Sequence, residues 1–436
     1  MESTLPTKTL SEWTAGQKTA FRFFFIYLSL QVLTESFLGN LVGYTIDIWG
    51  AGERIFTPPF LWLNRHLFHF RYIPASWTTF SDSLHTIRDI VYLFFATLGC
   101  VIWTLADRQR TNYNKLHYWF SRALITGLSC IMFAYGTIKI FALQMPRPSV
   151  ITLRRPLGEL SPFSLLWNTL GYGTPYEVFS GIIEVTGAIL VLYKRTRLAG
   201  LLIILAAMLN IIMLNYTYQV GVLITSFYIF LIAAFLLAPN ARSLAGLFFT
   251  GTGTSTNSFP DLYSPENGGA TALARIIMVL LIGFSFFTNT RYACQRYRRT
   301  TAVNHTRRSS LIMEHIVNND TLKLIEKDTL RWRLWTESTT EGKRKVTIVS
   351  MNPDVFKTYS LEQDSVGHIF TLRPTSKKDS FPLTFTYLAI DEKDWELDGN
   401  MGQDHIQLKL QRIDPDTAFR LLRVRRRIIV GNDEPD

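Results

Sequence analysis

The sequence predicts an α-helical polytopic membrane bundle of about seven transmembrane helices, followed by a small antiparallel all-β soluble domain. Three observations predict it. Long uncharged apolar runs fill residues 19–290. Charges of both signs return after Arg291, with short alternating segments from about residue 312 onwards. Only 18% of the chain is charged, against about 25% in a soluble protein, so two unlike solvents are the simplest account.

A spanning helix needs roughly 20 apolar residues, and seven stretches qualify or come close: about 19–38, 87–106, 117–141, 176–193, 198–218, 221–238 and 271–290. Residues 1–18 form a tail, and the first run has the length of a span and no small-residue cleavage site. The third stretch opens on an aromatic cluster suited to an interface. The fifth and sixth meet at Gln219 and Val220 and predict an antiparallel hairpin. Residues 39–86, with Pro58-Pro59 and three tryptophans, read as an interfacial segment lying on the bilayer. Residues 142–175 carry four prolines before Thr174 and read as an ordered cap. Residues 250–269 are a polar Gly/Ser/Thr connection.

A basic linker spans 291–311, and a soluble domain occupies 312–436. Met313–Val317 and Thr321–Ile325 flank Asn318-Asn319-Asp320, a hairpin signal. About eight short strands follow, as in a small barrel or sandwich. On one of them Lys345, Thr347 and Val349 share one face, and Val346, Ile348 and Ser350 the other. The run FRLLRVRRRIIV reads as a last strand.

The net charge of +11 sits largely beside apolar spans, as orienting loop arginines do. No helix or sheet joins a basic face to stacking aromatics, so nucleic acid is not an expected partner; the lipid bilayer is, and a protein partner could dock on 312–436. Loops after the second and fourth helices each carry three Lys or Arg, which favours a cytoplasmic N-terminus and a periplasmic C-terminal domain. Arg147, Arg154 and Arg155 argue the other way. Cys100, Cys130 and Cys294 form no Cys-x-x-Cys pair, so neither a disulfide framework nor an iron–sulfur cluster is expected. No haem motif is evident. His66 and His69 share helical spacing but have no third ligand nearby, and no metal site is expected.

Ionisable groups inside spans are costly and therefore informative. Glu184 shares a helix face with the small residues Ser180, Gly181, Gly187 and Ala188, which let a neighbouring helix approach. Asn210 lies at similar depth on the next helix, with Asn215 and Tyr218 nearer its end. Lys139 stands four residues after Tyr135 on one face. Arg88, Asp89 and Glu35 flank other spans. Together they predict a polar pocket in one half of the bilayer, open towards 142–175, with the opposite half nearly free of charge. The binding candidates are Glu184, Lys139, Asn210, Tyr135, Asn215 and Tyr218. A snorkelling Lys139, bridging asparagines and a structural Lys139–Glu184 pair suit the same residues.

The segments RALITGLSCIMFAYGTIKIF, LWNTLGYGTPYEVFSGIIEVTGAILVLYKRTRLAG and AAMLNIIMLNYTYQV resemble the DoxX-like membrane proteins of bacteria. Gly136 to Lys139 (Gly-x-x-Lys), Gly181, Glu184 and Gly187 (Gly-x-x-Glu-x-x-Gly) and the basic turn after them carry the likeness. It covers residues 122–249, about a third of the chain, as a four-helix core within about 117–249. It implies a bacterial inner-membrane location. The family's name comes from a membrane subunit associated with a thiosulfate:quinone oxidoreductase, so the resemblance implies an accessory or binding subunit with a pocket for a quinone or lipid. Alternatives are an oxidoreductase, with Glu184 as proton acceptor for a quinol and Lys139 or Tyr135 positioning an oxygen, and a small-solute transporter, which an inverted repeat would support.

Overall fold

A computed structural model describes residues 12–33, 58–69, 83–251, 268–340, 342–375, 382–391 and 393–419. Glu35, most of the interfacial segment, the centre of the 250–269 connection and all but the first residue of FRLLRVRRRIIV lie outside them. The chain divides into two compact units: residues 1–145 with 162–295, and residues 146–161 with 296–436.

The first unit is helical. Its long helices are α1 (Ala15–Leu33), α2 (Ser83–Ala106), α3 (Asn114–Ile140), α4 (Pro162–Tyr172), α5 (Thr174–Leu192), α6 (Arg197–Thr217), α7 (Leu223–Leu237) and α8 (Gly269–Thr306). Among the described residues six helices are long and apolar enough to cross a membrane, in place of the seven expected. The expected stretch not among them is 19–38, of which α1 describes only the part to Leu33. Lys18 and Arg22 occupy its first half, which leaves only the run from Phe23 as an apolar stretch. Arg22 is buried. Its guanidinium donates to Tyr113 Oη at 2.9 Å, Thr104 Oγ1 at 3.0 Å and the Asp107 carbonyl at 2.7 Å. The half of the bundle expected to be nearly free of charge therefore holds a satisfied arginine, tying α1 to the end of α2.

Helix α3 packs on α5, α5 on α6, α6 on α7, and α7 back on α3, giving a closed antiparallel four-helix bundle. Small residues set its tightest crossings. A Cβ on Gly181 would come within 2.6 Å of the Gly136 carbonyl, and one on Gly200 within 2.7 Å of the Val191 nitrogen. Large apolar residues such as Phe179, Ile182, Leu209 and Val279 point outwards, as lipid-facing positions do.

The division between the units at 295 and 296 falls inside the expected basic linker at 291–311, whose residues are mostly helical rather than extended: α8 continues unbroken to Thr306 and the first strand starts at Arg308. Its arginines line the last turns of a long helix. The cap at 142–175 divides, because α4 belongs to the bundle while residues 146–161 belong to the second unit.

The second unit is an antiparallel barrel. Its strands are β1 (Arg308–Val317), β2 (Asp320–Thr321), β3 (Trp332–Thr340), β4 (Lys343–Ser350), β5 (Phe356–Asp364), β6 (Ile369–Pro374), β7 (Leu383–Ala389), β8 (Asp394–Met401) and β9 (Asp404–Ile413). Neighbours in sequence pair in order from β3 to β9. β1 closes the ring by pairing β3 on one side and β9 on the other, from Ser309 opposite Ile413 to Val317 opposite Ile406. Alternation sends Val346 and Ile348, Phe370 and Leu372, and Ile406, Leu408 and Leu410 into one core, as period-two patterning requires. Gly399 is needed where β8 crosses Phe385: a Cβ there would meet the Thr384 carbonyl at 2.1 Å.

The Asn318-Asn319 turn forms with both residues in left-handed conformation, φ 52° and 71°, the signature of a type I′ hairpin. Its return arm is only Asp320–Thr321, not Thr321–Ile325. Leu324 and Ile325 are exposed, and the chain leaves the edge where Arg331 takes the Leu322 carbonyl. Val349, on the face it shares with Lys345 and Thr347, opposite Val346 and Ile348, is buried too. Residues 146–161 cover it: Val150 packs against Leu334, Val349 and Ile413, from a short helix capped by Ser149 Oγ.

His315 sits under this edge, 2% exposed. Its Nδ1 accepts the Trp332 N–H at 3.0 Å, so protonation there would break a hydrogen bond. Burial, then the nearby Arg331 charge, push its pKa down from 6.5 to about 4, with Asp328 opposing. The unfolded chain takes up this proton near pH 6.5 and the folded chain only near 4. Between those values the unfolded state binds more protons, so stability rises with pH. The barrel should hold its full stability above about pH 6.5 and lose about 2 to 3 kcal/mol as pH falls through 4. Urea unfolding followed by far-ultraviolet dichroism at pH 7.5, 5.5 and 4 checks this. A His315→Gln variant with the same pH slope as the parent would assign the slope to other groups.

Candidate functional site

The bundle positions a polar cavity at the level where α3 ends. Lys139 lies in the last turn of α3, and Glu184 nearly three turns into α5. The antiparallel crossing at Gly136 and Gly181 brings them together. Lys139 Nζ donates to Glu184 Oε1, with the two side chains 7% and 1% exposed. An ion pair in so dry a place is costly unless every remaining donor and acceptor is satisfied.

It is not fully satisfied. Among the described residues Glu184 Oε2 is buried with no hydrogen-bond partner. Two more buried acceptors share that state, Glu177 Oε2 and Gln144 Oε1. Glu177 stands in the first turn of α5, seven residues before Glu184 and so on the same face. Its other oxygen accepts the backbone N–H groups of Gln144 at 2.9 Å and Met145 at 3.1 Å. This pins the chain leaving α3 against the start of α5. Trp167 of α4 adds a roof strut by donating to the Gln144 carbonyl at 3.2 Å.

All three acceptors belong to residues around a cavity of about 90 Å³. Met132, Met208, Leu166 and Ile229 supply apolar wall, with Thr225 and Ser226 on α7. Asn210 lines the cavity yet is exposed, as is Tyr176, so both mark its mouth.

Five of the six residues expected here are brought together: Glu184, Lys139, Asn210, Tyr135 and Asn215. Tyr218 is not. Helix α6 stops at Thr217, Gln219 turns the chain with φ 55°, and Tyr218 sits half-buried at the cap, outside the lining. Asn215 also bridges helices, donating to Ser226 Oγ at 3.1 Å across the hairpin. Arg88 and Asp89 belong to another neighbourhood, where the Gln31 side chain donates to Asp89. Glu177 and Gln144 were not expected. The two-turn spacing of Glu177 from Glu184 was the available signal, masked because a carboxylate in a helix's first turn reads as a solvated end.

The site has a definite chemical bias. It presents one cation, two carboxylates and side-chain amides, with three acceptor atoms that have no protein donor among the described residues. It suits a head group that donates hydrogen bonds, on an apolar body passing the mouth. Among the described residues no group of His, Cys, Asp and Glu is placed to hold a metal ion.

One relative of this chain is the uncharacterized protein YwoB of Bacillus subtilis (strain 168), 29% identical over 125 residues, which is 27% of this chain and 73% of that protein. No family model matches the chain. No solved structure matches it.

Proposed function

We propose that this chain is a DoxX-like binding subunit of the bacterial cytoplasmic membrane, whose four-helix bundle holds the head group of a quinol or a lipid. Six helices of spanning length and composition support a multi-pass membrane protein. One observation carries the ligand: three buried acceptor oxygens, on Glu184, Glu177 and Gln144, are unpaired around one cavity. Each buried acceptor without a partner costs about 1–3 kcal/mol. Quinol hydroxyls, or the ammonium of an ethanolamine head group, would supply the missing donors. The bundle would then exchange its ligand through the mouth at Asn210, and the apolar body would stay in the bilayer.

The test is native mass spectrometry of the chain released from nanodiscs. The parent should carry about one small amphiphile per chain. Glu177→Gln is the informative variant. The glutamine oxygen can still accept the Gln144 and Met145 N–H groups, while its amide turns a donor to the cavity where an acceptor stood. Retention should fall by about tenfold or more, with little change in melting temperature. A ligand-free parent, or full retention in Glu177→Gln, would overturn the reading.

A further inference from the structure

The barrel has a second, separate cavity, of about 160 Å³, at one end of its interior. Small barrels fill their interior with apolar side chains, and this one does so through its middle: Leu372, Phe385 and Leu408 are essentially inaccessible. At the end layer the inward series changes character. Alternation from the core positions Ile312, Trp335, Ile348 and Leu410 leads to Arg308 on β1, Glu337 on β3, Arg344 on β4 and Arg412 on β9. These four strands are contiguous around the ring.

The charges do not cancel. Glu337 is fully engaged: Oε1 accepts the Trp335 indole N–H at 3.0 Å, and Oε2 accepts from Arg344 at 3.0 Å. Among the described residues neither Arg308 nor Arg412 makes a side-chain hydrogen bond or ion pair. Two exposed guanidinium groups therefore face one cavity without a side-chain partner of their own, because Glu337, in register opposite Arg308, is taken by Arg344. The opposite arc is aromatic. Phe370 stacks on Tyr387 at 4.3 Å, and Tyr387 stands 5.8 Å from Trp395, whose ring lines the cavity.

We propose that the barrel mouth binds a small organic carboxylate, its carboxylate held by Arg308 and Arg412 and its flat apolar body laid against Trp395. Guanidinium forks match carboxylates in plane and spacing, and aromatic faces take flat apolar bodies. The volume accommodates on the order of ten non-hydrogen atoms. The filled core beneath stops a longer chain.

Titration calorimetry on the full chain in nanodiscs tests this with three probes: benzoate, its neutral isostere benzamide, and inorganic phosphate. Benzoate should bind at least about tenfold more tightly than benzamide, since hydrogen bonds to charged groups carry the difference. Phosphate, which lacks the apolar body, should bind more weakly than benzoate. Arg308→Gln with Arg412→Gln should abolish benzoate binding, and the corresponding double lysine variant should restore part of it. Equal binding of benzoate and benzamide, or no benzoate binding by a parent with intact β dichroism, overturns the proposal. Phosphate binding as tight as benzoate would also overturn it, leaving a plain anion site. The comparison of probes on the parent needs no variant to fold.

Discussion

Glu184→Ala should lower the stability of the bundle by about 3–5 kcal/mol, the loss expected when one partner of a buried ion pair is removed and the other stays behind. Lys139 is 6% exposed in the last turn of α3, and among the described residues Glu184 is the partner of its charge. Without Glu184 its charge is left in a cavity walled partly by Met132, Met208 and Ile229, where among the described residues Glu177 is the other carboxylate of the lining. Double substitution, Lys139→Met with Glu184→Leu, should cost less than Glu184→Ala alone, because replacing both charges by apolar groups of similar size leaves nothing unpaired. The non-additivity is the signature. Thermal unfolding in mild detergent measures it. A Glu184→Ala protein that melts with the parent would show that the pair contributes nothing to the fold.

Separating the two roles the site combines needs Glu177→Gln beside it. Glu184 is both a structural counter-ion and an acceptor with a spare oxygen, so its removal confounds stability with binding. Glu177 is held by two backbone donors from a neighbouring turn, and the isosteric amide keeps those contacts. Loss of ligand in Glu177→Gln with unchanged melting, beside loss of stability in Glu184→Ala, would assign the two carboxylates different duties on one helix face.

Much of this site is legible in the sequence because its parts obey local rules. Small residues flanking Lys139 and Glu184 announce close helix approach, and a charge between them must meet a partner there. What could not be read is non-local. Arg22 makes α1 look like a span with a misplaced charge, and its acceptance depends on Tyr113, Thr104 and Asp107, more than eighty residues away. The barrel shows the same division. Alternation marks Val346 and Ile348 as inward, but nothing local says that β1 pairs β9 across the domain, or that Val150 covers Val349. Closure and covering depend on chain ends meeting, which periodicity does not encode. The conformation of 291–311 was hidden for a different reason: a run of arginines reads as a linker by charge, yet arginine is a good helix former, and α8 continues to Thr306.

The helix crossing beneath the site carries the other large expectation. At Gly181 an added Cβ would lie 2.6 Å from the Gly136 carbonyl and 2.8 Å from both the Ile140 nitrogen and the Lys139 Cβ. Two of these three neighbours are backbone and cannot rotate away, so α3 and α5 must separate. Gly181→Ala should cost about 1–3 kcal/mol through overpacking, and Gly181→Leu more. The separation should also lengthen the Lys139–Glu184 contact, so both variants should weaken ligand retention along with stability. Gly283 on α8 is the control, because a Cβ there meets nothing within 4 Å. Gly283→Ala removes a helix-interior glycine without a clash and should be neutral or slightly stabilising. Melting curves of the two alanine variants, collected side by side, decide the matter. If Gly181→Ala and Gly283→Ala behave alike, the backbones do not meet at Gly136 and Gly181. The Lys139–Glu184 pairing that rests on that crossing would fall with it.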